Sequence, residues 1–270
     1  SFNELTSKVE NLKKEKEKIL QNNDIPKEFL EPYYECKICK DTGYIQTQNS
    51  ASAMCPCLKQ KLLDISYNKS NISNLSKENF ETFNINIFSD SINSEKYRLN
   101  ISPRNNIINI KSKCIEFVNN FDNPDTKNLL FTGNTGLGKT FMCNCIAKSL
   151  LDKGHLVIYQ TAFKMFEIIE DYKFKNADSH ISKENYENLF DCDLLIIDDL
   201  GTELTNSFTN SELFNILNTR LLSGKKTIIS TNLSPMQLGS NYTQRIFSRI
   251  FDRFKMVKFI GKDLRWESKQ

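Results

Sequence analysis

Eight residues, Gly133-Asn-Thr-Gly-Leu-Gly-Lys-Thr140, combine three glycines, a lysine and a hydroxyl in the G-x-x-x-x-G-K-[ST] order. Glycines at 133, 136 and 138 permit backbone angles that turn successive N–H groups toward one anion. A helix starting there adds its partial positive charge. Gly133, Asn134, Thr135, Gly136, Leu137 and Gly138 are therefore expected to cradle the phosphates of ATP or ADP, with Phe141 just beyond. Lys139 would reach the β- and γ-phosphates, and the Thr140 hydroxyl would coordinate Mg²⁺. A chance Gly-rich turn is the competing reading. It is disfavoured by the apolar run before the motif and the helical pattern after it.

Asp198 ends a second apolar run, Asp193-Leu-Leu-Ile-Ile-Asp-Asp199. A carboxylate there suits a water-mediated Mg²⁺ ligand. Asp199 stands where many ATPases carry a glutamate that orients the attacking water, and its shorter reach suggests slow hydrolysis. Asn232 follows a third apolar run and could contact the γ-phosphate or that water. Arg249 and Arg253 fall four apart on one helical face, and either could reach a neighbouring subunit's γ-phosphate. The alternative for both is a solvated basic face with salt bridges to Asp252 or glutamates. Arg265 is a candidate second sensor of the same phosphate.

Four cysteines form a second centre. Cys36-x-x-Cys39 and Cys55-x-Cys57 are separated by 15 residues, a spacing that can close a tetrahedral zinc site. Gly43 and the polar stretch 46–52 allow a hairpin between the pairs. Free thiols or a redox pair are the alternatives. With four ligands no position is left open, so the metal is expected to be structural.

Stepping outward, the elements that must position these groups alternate helix and strand. Helical patterns are expected at 111–121, 140–151, 163–173, 211–222 and 242–254, and strands at 128–132, 155–161, 193–199 and 226–231. That alternation predicts an α/β fold, a parallel sheet flanked by helices, with ligand beyond the carboxyl ends of the strands. Ahead of it, Phe2, Leu5, Val9, Leu12 and Ile19 share a stripe between Lys and Glu residues. The stripe predicts a helix packed on its own domain, with half of a hairpin or short coiled coil as the alternative. Pro26 and Pro32 end it. The expected organisation is a helical plus four-cysteine module at 1–65, a polar linker at 66–79 and an ATPase domain at 80–270.

The chain has 270 residues and 36 Lys+Arg against 33 Asp+Glu, a net charge of +3. That near-balance argues against coating nucleic acid by bulk charge while leaving room for a local basic groove. No apolar run approaches the ~20 residues a membrane helix needs, so no membrane partner is expected. The chain begins at Ser1, and no secretory leader pattern opens it. Cys114, Cys143, Cys145 and Cys192 lie in apolar stretches, unlike a disulfide framework. A reducing compartment, the cytoplasm, is the expectation.

Together these features resemble the bacterial helicase loaders of the AAA+ type, the DnaC/DnaI family, along nearly the whole chain. The resemblance rests on Cys36-x-x-Cys39-x-Asp-Thr-Gly-Tyr44 with Cys55-Pro-Cys57, on Phe80-Glu-Thr-Phe83-Asn84 and on the phosphate loop. It rests also on Leu194-Leu-Ile-Ile-Asp-Asp-Leu-Gly201, Ser230-Thr-Asn232, Ser248-Arg-Ile-Phe-Asp-Arg253 and Gly261-Lys-Asp-Leu-Arg265. It implies an N-terminal module that docks on the replicative helicase hexamer. It implies a core that binds ATP and single-stranded DNA, self-associates into a ring or spiral, and delivers the helicase onto DNA. It places Phe80 and Phe83 near the adenine, makes Arg253 (or Arg249) the arginine finger and Arg265 the second sensor. Almost nothing follows Arg265, so the separate helical lid of the wider class is expected to be missing, as in this family.

For the DNA strand, Lys164, Tyr172, Lys173, Phe174 and Lys175 combine charge and stacking surface, against the alternative of a solvated amphipathic helix. Competing functions are an IstB-like transposition helper ATPase, a nucleotide-binding adaptor without significant hydrolysis, and a metabolic P-loop kinase, for which no acceptor feature is visible.

Overall fold

The computed structural model describes residues 2–23, 26, 32–46, 52–58, 60–61, 75, 77–175 and 179–267. The chain divides into two compact units, Ser1–Cys57 and Leu58–Gln270.

The first unit opens with the helix Phe2–Asn22. Of its apolar stripe, Val9, Leu12 and Ile19 are exposed at 49%, 57% and 57%. The expectation that this stripe packs on its own domain is therefore corrected. A hairpin of two three-residue strands, β1 (Tyr44–Gln46) and β2 (Ser52–Met54), is too small to cover a 21-residue helix. The hairpin is antiparallel, pairing Tyr44 with Met54 and Gln46 with Ser52.

In the second unit, five parallel strands form one sheet in the order β4-β5-β6-β3-β7. They are β3 (Asn128–Thr132), β4 (Val157–Thr161), β5 (Leu194–Leu200), β6 (Lys226–Thr231) and β7 (Phe254–Lys258). Both faces are covered, which is why the central strands read as unbroken apolar runs. Leu129, Phe131, Tyr159, Leu194, Ile196 and Ile228 point into one core with the helices Pro103–Asn119 and Lys139–Asp152. Leu130, Ile158, Leu195, Ile197 and Ile229 point into the other. That second face carries the helices Ala162–Glu170, His180–Asp191, Ser207–Leu222 and Gln244–Arg253.

Differences from the sequence reading have local causes. The helix expected from 111 starts at Pro103, where proline occupies the first turn and the Ser102 hydroxyl accepts from Asn105 N. The α-helix expected to reach 173 ends at Glu170 and widens into a π-turn over Asp171–Lys175. The segment expected as helix to 254 gives up its last residue to β7. This edge strand buries only Phe254 and Val257 and so lacks an apolar run. Of the expected linker, residues 66–74 and 76 lie outside the described residues. Leu75 is buried in the first core, and the Asn144 amide donates to Glu78, so its end belongs to the α/β unit.

Candidate functional site

The phosphate loop leaves the carboxyl end of β3 and enters the helix Lys139–Asp152, the arrangement the motif requires. Gly133, Gly136 and Gly138 have φ of 145°, 76° and 88°. A Cβ on Gly136 would sit 1.8 Å from the Asp263 carboxylate, and one on Gly133 would sit 2.6 Å from the Phe259 carbonyl. The cradle therefore has room for backbone alone.

Lys139 Nζ donates to the Gly133 carbonyl at 2.7 Å, the Asn134 carbonyl at 2.8 Å and Asn232 Oδ1 at 2.6 Å. Burial pulls this ammonium below its ordinary range, against the attraction of Asp199 and Asp198. The Thr140 hydroxyl donates to Asp198 Oδ2 at 2.8 Å. The same carboxylate accepts from the Tyr159 hydroxyl and, at 3.1 Å through Oδ1, from Asp199 N. Burial pushes the Tyr159 phenol far up, which keeps it a donor. Four of the expected residues thus meet in two hydrogen-bonded pairs, Lys139 with Asn232 and Thr140 with Asp198, at the start of one helix.

Asp199 sits beside them in the left-handed region, φ 54°, where β5 is irregular between Ile197 and Leu200. Partial burial and then the neighbouring Asp198 raise its carboxyl above the ordinary value, while Lys139 and Arg265 oppose this. Arg265 is therefore close enough for its charge to act on both Asp199 and Lys139. The segment bearing it is tied down: Leu264 N donates to the Gly136 carbonyl at 3.1 Å and Arg265 N to Asp263 Oδ1 at 3.0 Å.

Arg249 and Arg253 lie elsewhere. Arg249 Nε donates to Asn218 Oδ1 at 3.2 Å, and Arg253 pairs with its neighbour Asp252 at 2.8 Å. Both are exposed. The chain's own Lys139–Asn232 and Thr140–Asp198 pairs do not use them.

Phe83 is buried, 5.1 Å from the Phe141 ring and 5.9 Å from Phe88, and Phe80 packs against the same core. The Phe80 carbonyl accepts from Lys111 Nζ at 2.8 Å. Phe88 stands 3.6 Å from the Cβ position of Gly138 and was not singled out from sequence; neither was Tyr159. Both are apolar-run residues without a motif, so no local signal marks them. Asp263 had one: it lies inside the Gly261–Arg265 segment.

The donors suit a nucleotide and its cation. A cleft of about 490 Å³ beside the loop is lined by Lys96, Asn134, Thr135, Asn232, Lys262 and Asp263. Thr140 and Asp198 offer the hard oxygens Mg²⁺ prefers.

In the first unit, the Sγ atoms of Cys36, Cys39, Cys55 and Cys57 all lie within 4.8 Å of one another. Cys36 and Cys55 are 3.7 Å apart, and Cys39 and Cys57 3.4 Å. Four thiolates at 2.3 Å from zinc stand about 3.8 Å apart, so the cluster fits that ion. Lys40, Asp41 and Gly43 take φ of 51°, 62° and 78°, curling the chain back after Cys39. The Asp41 carboxylate accepts from Glu35 N and Cys36 N at 3.1 and 2.8 Å, fixing the loop. The hydrogen bond from Cys39 N draws the Cys36 thiol down to about 6, and Cys57, sharing its hydrogen bond with Cys39, is pushed up to about 12.

Of the expected strand-binding group, Tyr172 stacks on Tyr186 at 4.5 Å and Lys173 pairs with Glu212 at 3.5 Å. Lys164 pairs with Glu167 at 2.8 Å. Phe174 is 70% exposed, and Lys175 beside it is exposed too.

The IstB-like ATP binding protein family matches residues 92–269, a span holding the phosphate loop, both aspartates, Asn232 and all three arginines. The chain belongs to this family. Among its relatives, the replicative helicase loader DnaC of Escherichia coli (strain K12) is 26% identical over 175 residues, 64% of this chain and 67% of DnaC. The chromosomal replication initiator protein DnaA of Desulfotalea psychrophila is 28% identical over 111 residues, 41% of this chain and 23% of DnaA. Among solved structures, DnaA bound to AMPPCP and single-stranded DNA aligns with a TM-score of 0.54 at 19% identity, over 72% of this chain and 52% of that one. The DnaC helicase loader crystal structure aligns at 24% identity, TM-score 0.49, over 62% and 96%. The α/β unit of this IstB-like chain has the AAA+ P-loop fold, and the family is one of ATP-binding proteins. No helix among the described residues is long and apolar enough to cross a membrane.

Proposed function

We propose that the chain is an ATP-dependent loader that binds the replicative helicase and delivers it onto single-stranded DNA, with nucleotide as an assembly and release switch. The observation that carries this reading is the 175-residue similarity to DnaC. The protein would act in the cytoplasm.

In this reading Lys139 exchanges its two loop carbonyls for phosphate oxygens while Asn232 keeps it oriented. Thr140 and Asp198 hold the Mg²⁺, which supplies charge neutralisation at the phosphates. Asp199 orients the attacking water. Its short side chain and raised carboxyl suit slow, partner-stimulated hydrolysis. Arg253 or Arg249, exposed and unused by its own site, serves a neighbouring subunit's γ-phosphate in a ring or spiral. Arg265 senses the same phosphate from within the chain, and Phe83 and Phe80 border the adenine. Phe174 and Lys175 offer the strand a stacking face and a charge. The zinc module and the exposed stripe of the N-terminal helix dock the helicase.

Membership in the IstB-like family also favours a second reading, a transposition helper that acts with a transposase. Light scattering on mixtures with the host's replicative helicase, with and without ATP and with and without zinc, separates them. A zinc-dependent complex is expected of the loader. No complex in any nucleotide state would overturn the loader and leave the transposase partner. Measurable hydrolysis that is lost on Lys139→Ala would exclude the non-hydrolysing adaptor, and the absence of measurable hydrolysis by the parent chain would leave that reading instead.

A further inference from the structure

Glu203 is a buried acid that neither the phosphate chemistry nor the core requires; it is 8% exposed. Its two oxygens face two different donors. Oε2 accepts from Gly201 N at 2.8 Å, and Oε1 accepts from the Tyr242 hydroxyl. Gly201 N can only donate, so it needs an acceptor, and the Tyr242 hydroxyl donates to the second oxygen; a carboxylate accepts from both without reorienting either donor. Burial, followed by this carboxylate, pushes the Tyr242 phenol far up and keeps it a donor.

The two ends of this link lie in different machinery. Gly201 belongs to the turn that follows Asp199, and the Thr202 N–H and hydroxyl both close on the Asp199 carbonyl, at 3.2 and 2.9 Å. The same turn touches the Asn232 loop. Gly201 leaves no room for a Cβ beside Leu233, 2.5 Å away, and Thr231 Oγ1 donates to the Leu200 carbonyl at 2.6 Å. Tyr242 immediately precedes Thr243, the N-cap of the helix Gln244–Arg253 that carries Arg249 and Arg253. That cap has no side-chain hydrogen bond of its own. The helix start is held instead by Thr243 N on Asn210 Oδ1 at 3.2 Å and by the buried Tyr242 next to it.

We propose that Glu203 and Tyr242 are positioning residues linking the two γ-phosphate machineries of one subunit. They make the pose of the arginine helix it offers its neighbour follow the state of its own Asp199–Asn232 turn. The inference rests on the reading above in which those arginines act in trans. A shift of Asp199 or Asn232 on nucleotide binding moves Gly201, and the shared carboxylate carries that movement to the root of the arginine helix. Adjacent sites in the assembly then fire in order rather than independently.

The test is steady-state ATP hydrolysis by the full chain, at concentrations where it self-associates, with nucleotide affinity and thermal midpoint measured alongside. Tyr242→Phe keeps the ring and removes the link. It is expected to lower kcat by about 10–100-fold, as a misplaced catalytic group does, and to abolish cooperativity in ATP. Nucleotide affinity should stay within about twofold. Glu203→Leu, which removes both hydrogen bonds at similar volume, is expected to give the same loss, and it carries the test should Tyr242→Phe fold poorly. In a chain already bearing Arg249→Ala and Arg253→Ala, neither change should cost anything further. An equal loss in both backgrounds, or no loss in the parent chain, overturns the proposal. Full hydrolysis by the double-arginine variant alone would instead overturn the trans-arginine reading beneath it, and that outcome is read before Tyr242 is touched.

Discussion

Lys139 and Asn232, 93 positions apart, share a 2.6 Å hydrogen bond between the lysine Nζ and the asparagine Oδ1. The bond exists because β3 and β6 are adjacent and parallel, with Thr132 beside Thr231, so the residues just past their carboxyl ends converge. In the proposed function this bond would build the γ-phosphate contact of Asn232 onto the lysine itself rather than beside it.

The two side chains should separate kinetically. Lys139→Ala is expected to remove nucleotide binding and hydrolysis together, with kcat/KM falling about 10²–10³-fold or more. Asn232→Ala should leave affinity within severalfold and lower kcat, because Lys139 keeps its charge for the phosphates while losing the side chain that orients it. Nucleotide titration with single-turnover hydrolysis checks both. Equal losses of affinity would mean that Asn232 only props up the lysine.

Gly136 faces the Asp263 carboxylate with no space for a methyl group and holds φ at 76°. Gly136→Ala should therefore destabilise the loop by about 1–3 kcal/mol and weaken nucleotide binding. Asp263→Ala in the same chain should restore part of the binding by opening the space, leaving the φ penalty in place. Calorimetric titration of the single and double variants would show the suppression, and its absence would place the whole cost in the backbone.

The raised carboxyl of Asp199 gives hydrolysis a pH dependence. In its proposed water-orienting role Asp199 would have to be ionised, so kcat should fall on acidification at a pH above the ordinary carboxylate value of 3.8. The stability effect has the opposite sense. A carboxyl that binds its proton more tightly when folded favours the folded state at low pH, and that contribution is lost as pH rises through the folded value. Asp199→Asn should remove both dependences, which pH–rate and pH–melting profiles will register.

With zinc in the four-cysteine cluster as proposed, stripping it should unfold the hairpin of the first unit. The strands β1 and β2 have three residues each and little else to hold them. The α/β unit, with two cores of its own, should melt unchanged. Chelation followed by far-UV circular dichroism and melting, with Cys55→Ser as the covalent counterpart, tests the separation. A shared loss of both units would make the cluster part of a single cooperative fold.

Much of this site was legible in the chain because its chemistry is local. The phosphate loop needs glycine where φ is positive, lysine and threonine at the helix start, and a buried strand before them. All of that falls within consecutive residues 128–141. The aspartates follow from an apolar run ending in charge, and the paired cysteines from spacing alone. The element order of a parallel sheet was equally readable, since strands covered on both faces must be apolar throughout.

Tertiary structure decided what no stretch of sequence encodes. The order of strands set which residues meet: Tyr159 reaches Asp198 because β4 lies beside β5, and nothing around Tyr159 announces it. The strand β7 escaped notice because an edge strand buries few side chains and leaves no apolar run. The arginines show the limit most plainly. Their four-residue spacing put them on one helical face, but only the packed domain shows their partners to be Asn218 and Asp252 rather than any residue of the phosphate loop. Sequence fixes which groups are available through local backbone and burial demands. Their distances come from long-range packing, which brings together residues that share no local pattern.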